Sequence, residues 1–348
     1  MTDCDIIVVG AGSAGCIVAS ELVRRGGRRV VLVEPASASA PRVDHERPAR
    51  WLKLLGSTED WDLPTEASEN LAGRSLRWPR GRGLGGSGRI NAMIWFPPMD
   101  ADWSRLAQAS GQAWSIDDLQ QSFAAVQTIV APEQPTWLSD AARRFLATVT
   151  EWPDAQPIVY PRVIRAGRRW TPASLLQDCH DHPQRRRLRI VRASAQRLLF
   201  DGDDVIGVTI ANGSSTESIH ASEGVVVCAG AVATPALLMR SGIGPADVLA
   251  AAQIDVRCDS PGVGTGLQDH LIMPVIFRLS ASARFDVQPS MPELACWQHL
   301  GGGRVTSNIA ECGGLFENGR FQLHVTPTHY LTFPDPKSPA AMTLGVNI

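Results

Sequence analysis

The chain has 348 residues, 44% of them hydrophobic and 20% charged, with a formal net charge of −2. That length accommodates two domains, and the balance is that of a folded globular protein rather than a disordered one. The charge excludes a nucleic-acid binder held by a general basic field. No apolar run reaches the roughly eighteen residues of a membrane span, and nothing ahead of the first strand has the form of a secretory leader. Arginine outnumbers lysine 31 to 2, a mark of GC-rich bacterial coding sequence rather than of a partner. The seven cysteines are odd in number and lack C-x-x-C spacing, which predicts reduced thiols in a cytoplasmic protein.

Residues 5–9 are a short apolar run of the kind buried on both faces of a parallel sheet. Gly10, Gly12 and Gly15 follow as G-x-G-x-x-G, and residues 14–24 predict a helix that Gly26 can end. A second apolar strand, 29–33, runs into Glu34, nineteen residues past Gly15, where a carboxylate can accept from a ribose hydroxyl. Strand, glycines, helix, strand and acid in this register predict a βαβ dinucleotide site. The pyrophosphate would sit on the helix N-terminus, where the dipole and free N–H groups favour it. This unit alone does not separate NAD from FAD.

Residues 78–96, WPRGRGLGGSGRINAMIWF, hold five glycines between Gly81 and Gly88 with basic residues on both sides. Glycine lets backbone approach a flat ligand, and successive free N–H groups form an anion-binding concavity. This is a second ligand-cradling loop, in which Arg89 is expected to face solvent. From Trp114 to about Arg185 the chain is Pro- and Trp-rich, with a helical stretch over 139–150. Arg162, Arg165, Arg168, Arg169, Arg185, Arg186, Arg187, Arg189 and Arg192 read as a solvated face. Residues 188–227 alternate like a β-meander, with turns at DGDD and NGSS. Residues 225–239 then predict strand, turn and helix. After His270 the segments MPVIFRLS, GRVTSNIAECGGLFE and FQLHVTPTHYL predict strands of an antiparallel sheet.

The histidines give little chemistry of their own. His45, His180, His182, His220 and His299 fall in expected loops without metal-ligand spacing, so no metal is expected. His324 and His329 are candidates for a general base, a role that needs reach to a substrate proton as well as a suitable pKa.

Together the two glycine loops resemble those of the glucose–methanol–choline (GMC) oxidoreductases. Three segments extend the resemblance: TEDWDLPTEA at 58–67, CAGAVATPALLMRSGIGPADVL at 228–249 and PGVGTGLQDH at 261–270. It implies an α/β fold: a Rossmann-like FAD-binding domain with a discontinuous α+β substrate domain built on an antiparallel sheet. Residues 1–110 and 186–270 would form the first, and 111–185 and 271–348 part of the second. The cofactor implied is FAD, bound by Gly10, Gly12, Gly15, Glu34, Arg80, Gly85, Gly86, Ser87, Asn91, Ala92, Met93, Ile94, Ala195, Ala229 and Gly230. Asn91–Ile94 would lie along the isoalloxazine edge, Ala195 at the adenine, and Ala229 and Gly230 near the pyrophosphate and ribose. Ile90 stands where some members bond the flavin covalently through histidine, so non-covalent FAD is expected.

The family's catalytic histidine pair lies on a segment without a counterpart in this sequence. The resemblance therefore implies oxidation of a small alcohol by hydride transfer to flavin N5, in a split enzyme or a truncated member of the family. A second polypeptide would supply the pair, complete the flavin sheet and cover apolar residues such as Leu344 and Val346 in a heterodimer. A non-catalytic flavin-binding or regulatory subunit is the alternative, and an NAD-dependent dehydrogenase a weaker one, against which the second glycine loop argues.

Overall fold

A computed structural model describes residues 3–36, 43–111, 113–181, 187–281, 285, 289–332 and 337–347. Its contacts divide the chain into two units. Met1–Arg42, Leu55–Ile90 and Thr171–Asp269 form the first; Val43–Leu54, Asn91–Trp170 and His270–Ile348 form the second. The chain begins in the first unit with β1 (Cys4–Val9), α1 (Ser13–Arg24) and β2 (Val30–Val33). In the second unit it forms α2 (Asp100–Ala109), α3 (Ile116–Val130), α4 (Asp140–Val149) and β3 (Gln156–Val159). It returns to the first with α5 (Ala173–Asp181), β4 (Leu188–Val191), β5 (Ser194–Asp201), β6 (Asp204–Asn212), β7 (Ser215–Val227) and α6 (Gly230–Arg240). The second unit then receives β8 (Ile272–Arg278), α7 (Met291–Leu300), β9 (Cys312–Phe316), β10 (Phe321–Thr326) and β11 (Ala341–Asn347).

Boundaries expected near 110 and 185 thus fall at Ile90/Asn91 and Trp170/Thr171. Residues 91–95 go with the second unit because their backbone is bonded to 161–163, Val163 N–H to Met93 O and Trp95 N–H to Pro161 O. Residues 173–181 go with the first because Leu176 and Cys179 of α5 share a core with Cys16, Ala19 and Val23 of α1.

The first unit is a six-stranded sheet in the order β4-β2-β1-β7-β6-β5. Strands β4, β2, β1 and β7 are parallel, with Ile7 between Val31 and Val225; β6 pairs antiparallel with β7 and β5. The predicted meander is therefore shorter than expected. LRIV at 188–191 is not its first strand but lies parallel to β2, Val30 opposite Leu188 and Val33 opposite Val191. A short apolar run can join either kind of sheet, and here β2, whose four residues are all buried, takes it as a neighbour. Strand β7 is shared: Ser215–His220 pairs with β6, whereas Gly224–Val227 pairs with β1. Beside the second half a groove of about 540 Å³ is lined by Val205, Ser222, Gly224 and Val226.

In the second unit the antiparallel sheet runs β8-β11-β10-β9-β3. Ser139 caps α4, its Oγ accepting from Ala142 N–H at 3.2 Å, and Ala142, Phe145 and Val149 pack on Cys312, Leu323 and Val325. Leu344 and Val346, expected to be exposed, are half-buried against this same cluster. The uncovered apolar surface lies one strand further on. Met273, Val275 and Phe277 of β8 pair with Val346, Leu344 and Met342 and so share their face, yet are 56%, 39% and 45% exposed. GRVTSNIAECGGLFE also departs from expectation. Only Cys312–Phe316 is strand; Arg304–Thr306 is a 3₁₀ turn, and Ile309 has φ of +56°, which no ladder accommodates.

The covered and uncovered halves of this face should respond differently to truncation. Leu323→Ala, under α4, should cost about 2–5 kcal/mol, whereas Phe277→Ala should stay within about 0.5 kcal/mol. Denaturant unfolding of both variants of the isolated chain checks this; equal losses would show that β8 is covered.

Candidate active site

Close backbone approach requires glycine at two positions of the first βα turn, Gly10 and Gly15. A Cβ on Gly15 would stand 1.8 Å from Gly10 O, and one on Gly10, at φ +97°, 2.5 Å from Cys228 O. The first βα turn is thereby pressed against the turn joining β7 to α6. A Cβ on Gly12 would meet nothing within 4 Å. Gly12 is the N-cap of α1 and Ala229 that of α6, and neither helix has a side-chain cap. Both N-termini sit at the C-terminal ends of adjacent parallel strands, β1 and β7, the place where doubly wound sheets bind ligands. Glu34, 7% exposed, follows β2; its Oε2 accepts from Ala11 N–H at 3.0 Å and its Oε1 from Ala36 N–H at 3.2 Å. Ala195 and Ala229 pack against the core cluster holding Val9 and Val33. Gly230 takes φ +82° with open space where a Cβ would be.

The second glycine loop closes onto the first. Gly85 N–H donates to Ala11 O at 2.7 Å, and a Cβ on Gly86 would lie 2.7 Å from Gly12 Cα. Ser87 is exposed, and its Oγ accepts from Gly81 N–H at 3.1 Å. Arg80 stacks its guanidinium 5.0 Å from the Trp78 ring centroid, and its N–H donates to Asp60 Oδ1 at 2.7 Å. Asp60, 6% exposed, also accepts from Gly56 N–H and Asp62 N–H. Arg89 is not solvated as expected. It pairs with the buried Glu59 at 2.6 Å and donates to Leu84 O at 3.3 Å, so its charge is spent bracing the loop from within. Glu59 and Asp60 were legible only as part of TEDWD, without a role.

In the second unit the four residues after Ile90 are fixed by hydrogen bonds. Asn91 Oδ1 accepts from Met93 N–H at 3.1 Å and from Arg169 Nη1 at 2.8 Å. Ala92 O accepts from Asn308 Nδ2 at 2.7 Å and Met93 O from Val163 N–H at 2.8 Å; Ile94 bridges to Arg162. The arginine run is thus not one solvated face. Arg162 and Arg169 are buried because each has carbonyl oxygens to satisfy, Thr306 O for Arg162 and His45 O for Arg169. Burial brings the Arg162 pKa down to about 10. Arg165 and Arg168 stack on Trp170 and Trp297, Arg187 and Arg192 are exposed, and Arg185 and Arg186 lie outside the described residues.

The histidines expected in loops mostly stand in regular elements: His45 in a helical turn, His180 in α5, His220 in β7 and His299 in α7, while His182 lies outside the described residues. No group of metal-ligating side chains occurs among the described residues. His329 lies past the end of β10, its Nδ1 3.0 Å from Thr332 Oγ1. His324 is within β10, 5.2 Å from the Tyr160 ring, with its Nδ1 buried and unpaired. Burial, assisted by His270, pushes its pKa down to about 4 from 6.5. The folded pKa lies below the unfolded one, so the neutral ring stabilises the fold above about pH 6.5, and this contribution is lost as pH falls through 4. The unfolding free energy of the wild type minus that of His324→Phe should be constant above neutrality and shrink between these limits. A difference independent of pH would contradict this placement of the ring.

The GMC oxidoreductase family model matches residues 4–170 and 164–272. An uncharacterised GMC-type oxidoreductase of Mycobacterium tuberculosis is 34% identical over 96% of this chain and 68% of its own length. A pyridoxine 4-oxidase of Microbacterium luteolum is 33% identical over 78% of the chain and 58% of its own length. The crystal structure of a pyridoxine 4-oxidase from Mesorbium loti superposes with a TM-score of 0.82 at 28% identity, covering 99% of this chain and 71% of that one. No helix among the described residues is long and apolar enough to cross a membrane. With the two glycine loops, the acid after β2 and these matches in agreement, the chain belongs to the GMC oxidoreductases, the FAD-dependent family that oxidises CH–OH donors.

Proposed function

We propose that this chain is the FAD-binding subunit of an alcohol oxidoreductase whose partner polypeptide carries the catalytic histidine pair. The observation that carries the reading is the closure of the second glycine loop onto the first, at an α1 N-terminus without a side-chain cap. The site fits the cofactor: Gly12 leaves open space where phosphate oxygens need it, and the Glu34 carboxylate is held in place by Ala11 N–H and Ala36 N–H. When bound, FAD supplies at N5 the acceptor for hydride from the alcohol carbon. Gly10, Gly12 and Gly15 admit the pyrophosphate and Glu34 accepts from ribose. Ala229 and Gly230 open α6 beside them, and Ala195 serves the adenine. Arg80, Gly85, Gly86 and Ser87 form the second wall, and the Asn91–Ile94 backbone follows the ring edge. Ile90 offers no nucleophile, so the flavin is held without a covalent bond.

The base for the substrate hydroxyl is assigned to the partner. His324 is engaged with Tyr160 and resists protonation, and His329 is bonded to Thr332. A partner also accounts for the apolar stripe Met273, Val275 and Phe277, since large exposed apolar patches mark interfaces. It would pair as well with β7 beyond the part bonded to β6. The names of the pyridoxine 4-oxidases agree with a small alcohol as substrate. Seven free thiols fit a cytoplasmic setting.

The purified protein, with its partner where one is needed, should be yellow and release intact FAD on denaturation. Flavin retained by the precipitated chain, or bound nicotinamide in its place, would overturn the cofactor reading. Charged hydrogen bonds are worth about 1.5–3 kcal/mol, so Glu34→Ala should weaken FAD binding at least tenfold. A primary or secondary alcohol should bleach the flavin anaerobically with the partner present, and far more slowly without it. Full turnover by the chain alone would end the two-subunit reading.

A further inference from the structure

Two buried residues of the second unit, Met93 and Ile309, hold left-handed backbone at φ +58° and +56°, each 1% exposed. For a β-branched residue that conformation is a true outlier, and such strain survives only where the surroundings over-determine it. Around Ile309 they do. Ser307 Oγ accepts from Ile309 N–H at 3.0 Å and donates to Glu311 Oε1 at 2.5 Å. Glu311 Oε2 accepts from Ser139 N–H at 2.7 Å, and its carbonyl from Tyr160 N–H at 3.1 Å. Ser307, Asn308 and Glu311 are fully buried. A buried carboxylate is costly unless hydrogen-bonded, and this one is spent on fixing a turn.

What the turn presents is Asn308. Its Oδ1 accepts from Ala310 N–H at 3.3 Å and its carbonyl from Trp51 Nε1 at 3.0 Å. The bond from Ala310 fixes which end of the side-chain amide is which, the one from Trp51 holds the backbone carbonyl, and Nδ2 is left to donate to Ala92 O at 2.7 Å. The Ala92–Met93 peptide is then held at both ends, its oxygen by Asn308 and its N–H by Asn91 Oδ1. The N–H of Ala92 itself has no partner among the described residues.

We propose that Asn308, braced by Ser307 and Glu311, is a positioning residue that sets the Ala92–Met93 peptide so that the free Ala92 N–H meets the acceptor edge of the flavin ring. This rests on the assignment of Asn91–Ile94 to that edge. A donor fixed in advance favours the more electron-rich, reduced ring, because no reorganisation is needed when charge develops.

The test uses the FAD-loaded protein and the variants Asn308→Asp and Ser307→Ala. Asn308→Asp keeps the acceptor for Ala310 N–H and loses the donor to Ala92 O; Ser307→Ala loosens the brace and decides the matter if the first variant does not fold. Each loaded variant should show altered visible flavin bands and a lower midpoint potential than the wild type, and bleaching by alcohol with the partner present should slow at least tenfold. Bands and potential identical to wild type would overturn the proposal, as would a loss of thermal stability with both unchanged, since that is a merely structural role. Wild-type protein that binds no FAD would instead defeat the underlying assignment, before any variant is compared.

Discussion

The close contact of backbone with backbone around Gly10, Gly12, Gly15 and Gly86 is the constraint from which the rest follows. Any side chain at Gly15 would occupy the Gly10 carbonyl, and any at Gly86 would strike Gly12. With those positions bare, α1 starts directly off β1, the second loop bonds to Ala11, and the uncapped helix end stays accessible. Supporting charges sit behind this surface. Asp60 gathers three backbone N–H groups and Glu59 neutralises Arg89, so the loop is rigid without placing a formal charge at the exposed Ser87.

The parts that the sequence made legible are local ones. The βαβ unit could be read because its strand, glycines, helix and acid occur within thirty-odd residues and each obeys a rule of spacing. The antiparallel sheet could be anticipated from alternating segments, although GRVTSNIAECGGLFE shows the weakness of that signal. Its pattern resembles a strand, yet Ser307 and Glu311 bond across it and force a turn. LRIV predicts a meander strand yet pairs parallel with β2, because four residues carry no information about which strand pairs with them. Arg89 and Arg169 read as solvated charges in the sequence because arginine gives no local sign of its partner; Glu59 and His45 are 30 and 124 residues away. Asn308 was invisible for the same reason, being 216 residues from Ala92.

The histidines show how the structure separates a residue type from a role. His324 stands on a strand, as expected, but burial against Tyr160 keeps its ring neutral far below the pH at which a base must exchange protons. The second unit instead devotes its buried polar groups to geometry. Glu311, Ser307, Asn308, Arg162 and Arg169 all bond to backbone or to one another, and two strained residues mark where that rigidity is applied. Such an arrangement suits a protein that leaves the redox chemistry to its cofactor and contributes orientation.

The central claim is that the α1 N-terminus and Glu34 receive FAD. A crystal structure of the FAD-loaded protein tests it most directly. The account predicts pyrophosphate oxygens within about 3.2 Å of backbone N–H groups in residues 12–15, and a ribose hydroxyl on Glu34. A pyrophosphate bound elsewhere, with Glu34 still engaged by Ala11 and Ala36 alone, would contradict it.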